Sequence, residues 1–130
     1  MSSSTFSGLS QIGQIGLPVR DLDRAVTFYR DVLGLPFLFR VPNLAFFDCA
    51  GVRLMLSPPE TAELERHSSI IYFTVEDIHA AHQALRDRGA PFDDQPHIIA
   101  NMETYDLWMA FFRDPDGNVL GIMSEAPRES

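Results

Sequence analysis

Few side chains in this chain can do chemistry, and the histidines are the place to begin. His79 and His82 stand three residues apart in a helix-like run, a separation that puts two imidazoles on one helix face where they could grip a metal. No carboxylate or third imidazole completes the set. His82 falls four residues after Ile78 and three before Leu85, so helix geometry assigns it to the packed stripe and leaves His79 to solvent. His67 lies in a linker. His97 precedes Ile98-Ile99 in a segment that also holds Met102, Tyr105, Asp106 and Trp108, and a loop there would cover a cleft. An imidazole on such a lid can act as general base or hydrogen-bond donor near neutral pH, which makes His97 the candidate catalytic residue. A loop histidine bonded to backbone is the alternative. Cys49 follows Asp48 with no histidine near it in sequence, and it reads as a buried thiol before a nucleophile.

The candidate binding residues come from strand alternation. Over Ile12 to Val19, the residues Ile15, Leu17 and Val19 share one face and Gln14, Gly16 and Pro18 the other. Over Val52 to Ser57, the apolar Val52, Leu54 and Leu56 suit a helix-covered face and leave Arg53, Met55 and Ser57 opposite. The same parity turns Ile71, Phe73 and Val75 toward a helix, and Ile70, Tyr72 and Thr74 toward a cleft. Gln14 can bond a ligand or satisfy a neighbouring strand. Arg53 can bind a carboxylate or phosphate, or sit in a rim ion pair. Met55 suits an adaptable pocket wall. Tyr72 and Trp108 can stack on a flat molecule, with core packing, or a dimer contact for Trp108, as the alternative.

The elements that position these residues occur twice. Val19-Arg20-Asp21-Leu22 opens a helical run that Gly34 and Pro36 stop, and Val75-Glu76-Asp77-Ile78 opens a second that Gly89 stops. Short β-rich runs follow each: Phe37 to Val41, Leu44 to Cys49 and Val52 to Ser57 in the first copy, separated by Pro42-Asn43 and Ala50-Gly51. In the second they are a strand around Ile98-Ile99, Leu107 to Arg113 and Val119 to Ser124, with the turn Asp114-Pro115-Asp116-Gly117 before the last. The order is βαβββ in both. The expected division is a poorly ordered arm over residues 1–11, one module over 12–66 and another over 67–130. Pro58 to Ser69 forms the link and the boundary lies near His67.

A length of 130 residues suffices for one well-cored domain without staples. The single cysteine excludes an internal disulfide and a cysteine-rich zinc site, and makes the cytoplasm the simplest address. No run approaches the roughly 20 apolar residues that span a bilayer, and no signal-peptide pattern opens the chain. A formal charge of −8 argues against nucleic acid as a partner.

These residues resemble the vicinal oxygen chelate superfamily of glyoxalases, bleomycin-resistance proteins and extradiol dioxygenases. The likeness rests on Asp21-Leu22, Ala25, Phe28-Tyr29 and Val32-Leu33-Gly34-Leu35, on Phe112-Arg113-Asp114-Pro115-Asp116-Gly117-Asn118, and on the repeat. It implies an α+β fold of two tandem βαβββ modules whose curved sheets surround a cleft, and a homodimer. Metal-bearing members place one ligand on the first and one on the last strand of each module. Those positions fall here on Gln14, Met55, Ile70 and Gly121, of which Gln14 alone carries a donor suited to a divalent ion. The expectation is therefore no metal and no cofactor, with a divalent metal as the alternative. The leading function is bleomycin-resistance-like capture of a small aromatic or amphipathic molecule by Gln14, Arg53, Met55, Tyr72, Trp108 and His97. The rival is a glyoxalase-like lyase or isomerase, or a dioxygenase, that uses other metal ligands or His97 as acid and base.

Overall fold

Alternating apolar residues and two aspartate caps dictate most of the backbone. The computed structural model describes residues 6–9, 11–59 and 69–128. The stretch 60–68, with His67 and the expected module boundary, lies outside the described residues. The first module runs β1 (Gln14–Pro18), α1 (Leu22–Thr27) with a wider π-helical turn (Phe28–Val32), β2 (Phe37–Val41), β3 (Leu44–Cys49) and β4 (Val52–Ser57). The second runs β5 (Ile71–Thr74), α2 (Ile78–Asp87), β6 (His97–Asn101), β7 (Tyr105–Arg113) and β8 (Val119–Pro127). Each module forms a four-stranded mixed sheet, ordered β1-β4-β3-β2 and β5-β8-β7-β6. The pairs β1–β4 and β5–β8 are parallel and the rest antiparallel.

Both helices begin as their sequences require. The Asp21 carboxylate accepts from Arg24 N at 3.1 Å and Asp77 from Ala80 N at 3.1 Å, each satisfying one unpaired amide of the first turn. The first helix does not stay α-helical to its end. From Phe28 it widens, with Leu33 N donating to Phe28 O at 3.0 Å and Leu35 N to Tyr29 O at 3.0 Å. In this wider turn the adjacent rings of Phe28 and Tyr29 are both buried, at 7 % and 0 % exposure. In α2 the stripe Ile78, Ala81, His82 and Leu85 lies on the core. His82 is buried there, its ring against Phe92 at 4.3 Å and its Nε2 3.3 Å from Asp94 O.

One core serves both modules. Leu17, Val19, Tyr29, Phe47, Leu54 and Leu56 of the first merge with Ile78, Ala110, Phe112, Leu120 and Ile122 of the second. Each fully buried side chain of this size contributes roughly 1.5–3 kcal/mol. The Asp-Pro-Asp-Gly turn is more than a reversal, because its polar groups tie the modules together. Asp114 Oδ2, buried, accepts from the Tyr29 hydroxyl at 2.8 Å and from Asn118 Nδ2 at 2.9 Å. The same Asn118 amide donates to Pro18 O at 2.8 Å, and Asp116 Oδ1 accepts from Arg20 N at 2.7 Å and Arg24 Nη2 at 3.3 Å. Among the described residues no helix is long and apolar enough to cross a membrane.

Candidate functional site

Strand register decides what shares the sheet face turned away from the helices. In the first module Gln14 lies opposite Arg53, which lies opposite Asp48. Gly16 lies opposite Met55, then Phe46 and then Phe39. Three of the expected binding residues therefore come together. Arg53 Nε donates to Gln14 Oε1 at 2.9 Å, and Gln14 Nε2 reaches the Met55 sulfur at 3.6 Å. The Arg53 guanidinium also lies 5.1 Å from the centre of the Phe46 ring, and Phe39 stacks on that ring at 4.5 Å. The result is an aromatic stack ending in a cation whose direction is fixed by an amide.

In the second module Tyr72 lies opposite Gly121, which lies opposite Phe111; Thr74, Met123, Met109 and His97 form the next row. The Tyr72 ring meets Phe111 edge-on at 5.9 Å and lies over Gly121, where an added Cβ would come within 2.9 Å of its Cδ1. Gly121 is thus the residue that leaves room for this ring.

Two expectations need correction. Trp108 does not face the cleft. It lies opposite Ile98 and Ser124, one residue out of step with Met109, so its indole packs on the core side, edge-on to the His79 ring at 5.1 Å. The second correction concerns His97, which is not on a lid. It opens β6, an edge strand that pairs with β7 in a hairpin with a bulge between Ile98 and Ala100. Its Nδ1 lies 2.9 Å from Gln95 O and 3.5 Å from Asp94 Oδ2, and nothing places it beside Gln14, Arg53 and Met55. His79 is exposed yet not simply solvated, given its contact with Trp108.

Phe39, Phe46 and Phe111 belong to these faces and were not among the expected site residues. Their signal is the strand parity that selects Met55, applied one or two strands further across each sheet. Cys49 is half-buried against the core, and burial together with the Asp48 charge pushes its thiol pKa up, away from nucleophilic use.

The family model described as the Glyoxalase/Bleomycin resistance protein/Dioxygenase superfamily matches residues 11–122. The chain belongs to this superfamily. It is 32% identical over 123 residues to the uncharacterized protein YraH of Bacillus subtilis (strain 168), covering 84% of this chain and 94% of that one. Among solved structures it is similar to a lactoylglutathione lyase from Agrobacterium tumefaciens, at 25% identity and a TM-score of 0.72 over 90% of this chain and 95% of that one. It is also similar to TnmS3, an antibiotic binding protein from Streptomyces sp. CB03234, at 23% identity and a TM-score of 0.74 over 93% and 100% of the two chains.

The superfamily's metal would be held from the positions of Gln14, Met55, Ile70 and Gly121, and these residues do not fit it. The Gln14 oxygen is engaged by Arg53, Met55 offers a thioether, Ile70 has no donor, and Gly121 lies under a phenol ring. Divalent ions are held chiefly by carboxylates, imidazoles or thiolates, and this quartet supplies none of them. Among the described residues no group of three His, Cys, Asp or Glu side chains is placed to hold one elsewhere.

Proposed function

We propose that this member of the superfamily captures a small aromatic or amphipathic molecule without a metal, in a cleft that two copies of the chain complete. One observation carries the reading: the ligand positions hold Gln14, Met55, Ile70 and Gly121, with the Gln14 amide spent on Arg53 and Met55 and Gly121 roofed by Tyr72. What the faces offer instead is stacking surface beside one directed guanidinium. An added aromatic pair contributes about 0.5–1.5 kcal/mol beyond its buried area. The fold shared with an antibiotic binding protein suits capture, and the fold shared with a lactoylglutathione lyase suits catalysis equally; the donor chemistry at the four positions supports the first.

The second copy enters through the packing. Tyr29 and Asp114 join the modules on their helix side, which leaves both ligand faces outward. Phe39, Val41, Ile70 and Tyr72 are 40–45% exposed there, and apolar surface of this kind calls for a cover. A reducing cytoplasm suits the lone thiol.

Thermal denaturation with a panel of planar aromatic compounds, with and without EDTA, tests the proposal alongside metal analysis and sedimentation. The expected result is a dimer whose melting point rises with one compound class in either buffer, a rise that Arg53→Ala reduces. A stoichiometric divalent ion that survives dialysis overturns it. The rival reading, a lyase, isomerase or dioxygenase, draws support from the Asp94 carboxylate beside His97 Nδ1. In that case His97→Gln abolishes turnover and keeps binding.

A further inference from the structure

A second concavity lies on the opposite side of the molecule from the faces just described. It has a volume of about 260 Å³ and sits where the modules meet, walled by Leu33 and Leu35 of the first and by Phe73, Leu85 and Ile122 of the second. Leu33, Leu35, Phe73 and Leu85 are half-buried, so the apolar wall is wet in the free protein. Solvating it forgoes about 25 cal/mol for each Å² that a ligand would cover.

Among the described residues a single charged side chain, Arg88, lines this cleft. It stands at the end of α2 and crosses to the first module, where its Nη1 donates to Val32 O at 3.3 Å. The chain holds 18 acidic residues, and Arg24, Arg30, Arg40, Arg113 and Arg128 each meet an aspartate. Among the described residues no carboxylate pairs with Arg88, whose one bonded partner is a neutral carbonyl. A guanidinium has five donors in a planar fork, so most of this fork remains open to an anion at the mouth of an apolar cleft.

We infer that this cleft binds a small amphipathic monoanion, a carboxylate on an aliphatic or aryl tail, with the tail between the modules and the carboxylate on Arg88. A cleft of this volume, open to solvent on one side, suits a ligand of the size of octanoate or phenylacetate. Because both modules supply walls, the ligand also braces their junction.

Calorimetric titration with octanoate and with 1-octanol, on the full chain, tests this. Octanoate binds the wild-type protein one-to-one and binds Arg88→Gln about tenfold more weakly, the loss expected for a charge-assisted bond, whereas octanol does not distinguish them. The methyl resonances of Ala81 and Ala84, which line the cleft, shift on titration, and Ala84→Trp fills the space and abolishes binding. Should that variant fail to fold, the methyl shifts and Arg88→Gln still decide. Equal octanoate affinity in wild type and Arg88→Gln overturns the assignment, as does no binding at all. Shifts confined to the methyls of Met55, Met109 and Met123 overturn it too and place the anion on the outward faces, leaving the aromatic capture reading standing.

Discussion

Tyr29 joins the packing of this molecule to its electrostatics. Its ring is fully buried and its hydroxyl donates to a buried carboxylate, so burial first and the Asp114 charge second hold the phenol pKa far above its ordinary value of 10.0. Tyr29→Phe removes that donor, and the expected cost is about 1.5–3 kcal/mol at neutral pH in urea denaturation. The pH dependence has a definite sign. Below pH ~10 the phenol is neutral in both states and its contribution is fully present. As the pH rises further the unfolded chain ionises its phenol while the folded chain cannot, so stability falls by about 1.4 kcal/mol for each further pH unit. The gap between wild type and Tyr29→Phe should therefore hold from pH 8 to about pH 10 and narrow above it. A constant gap would mean that the phenolate forms within the folded protein.

Among the elements, the hairpin β3–β4 shows the clearest mismatch between sequence and geometry. Ala50 and Gly51 form its two-residue loop with φ of 52° and 98°, the primed turn that suits twisted strands. Glycine adopts that conformation freely; a Cβ costs roughly 1–2 kcal/mol there. Ala50→Asn gives the preferred Asn-Gly pair and should raise stability by about 0.5–1 kcal/mol, read as a higher denaturant midpoint at unchanged slope. Elements of this kind were legible in advance: alternation and turn residues place β2, β3 and β4 at the ends observed. They also bring Gln14, Arg53 and Met55 together, because parity within short parallel and antiparallel neighbours is a local property. His97 was not legible, and Trp108 only in part. The bulge between Ile98 and Ala100 resets the parity of β6, so the neighbours of His97 cannot be counted from sequence; Trp108 shares the parity of the buried Ala110 and Phe112 in β7, a signal that was present and outweighed by its reading as part of a covering loop.

For the molecule as a whole, the decisive contacts join residues that sequence cannot connect. Tyr29 and Asp114 are separated by 85 positions, and no periodicity reports that one donates to the other. The Asp114 carboxylate accepts four hydrogen bonds: at Oδ1 from Asp116 N (2.9 Å) and Asn118 N (2.8 Å), and at Oδ2 from Tyr29 and the Asn118 amide. Asp114→Asn keeps the shape and replaces one acceptor with a donor, so whichever way the amide turns a buried N–H faces other donors. The expected loss is about 3 kcal/mol or more, with amide exchange in α1 accelerating as the modules loosen. The same arrangement bears on the order in which the polypeptide is made. A nascent chain extended only through β4 has its Tyr29 hydroxyl and Pro18 carbonyl in place but lacks Asp114 and Asn118, which are synthesised with the second module. The first module should therefore emerge as a loose precursor, and its maturation should wait for the reverse turn of the second to arrive.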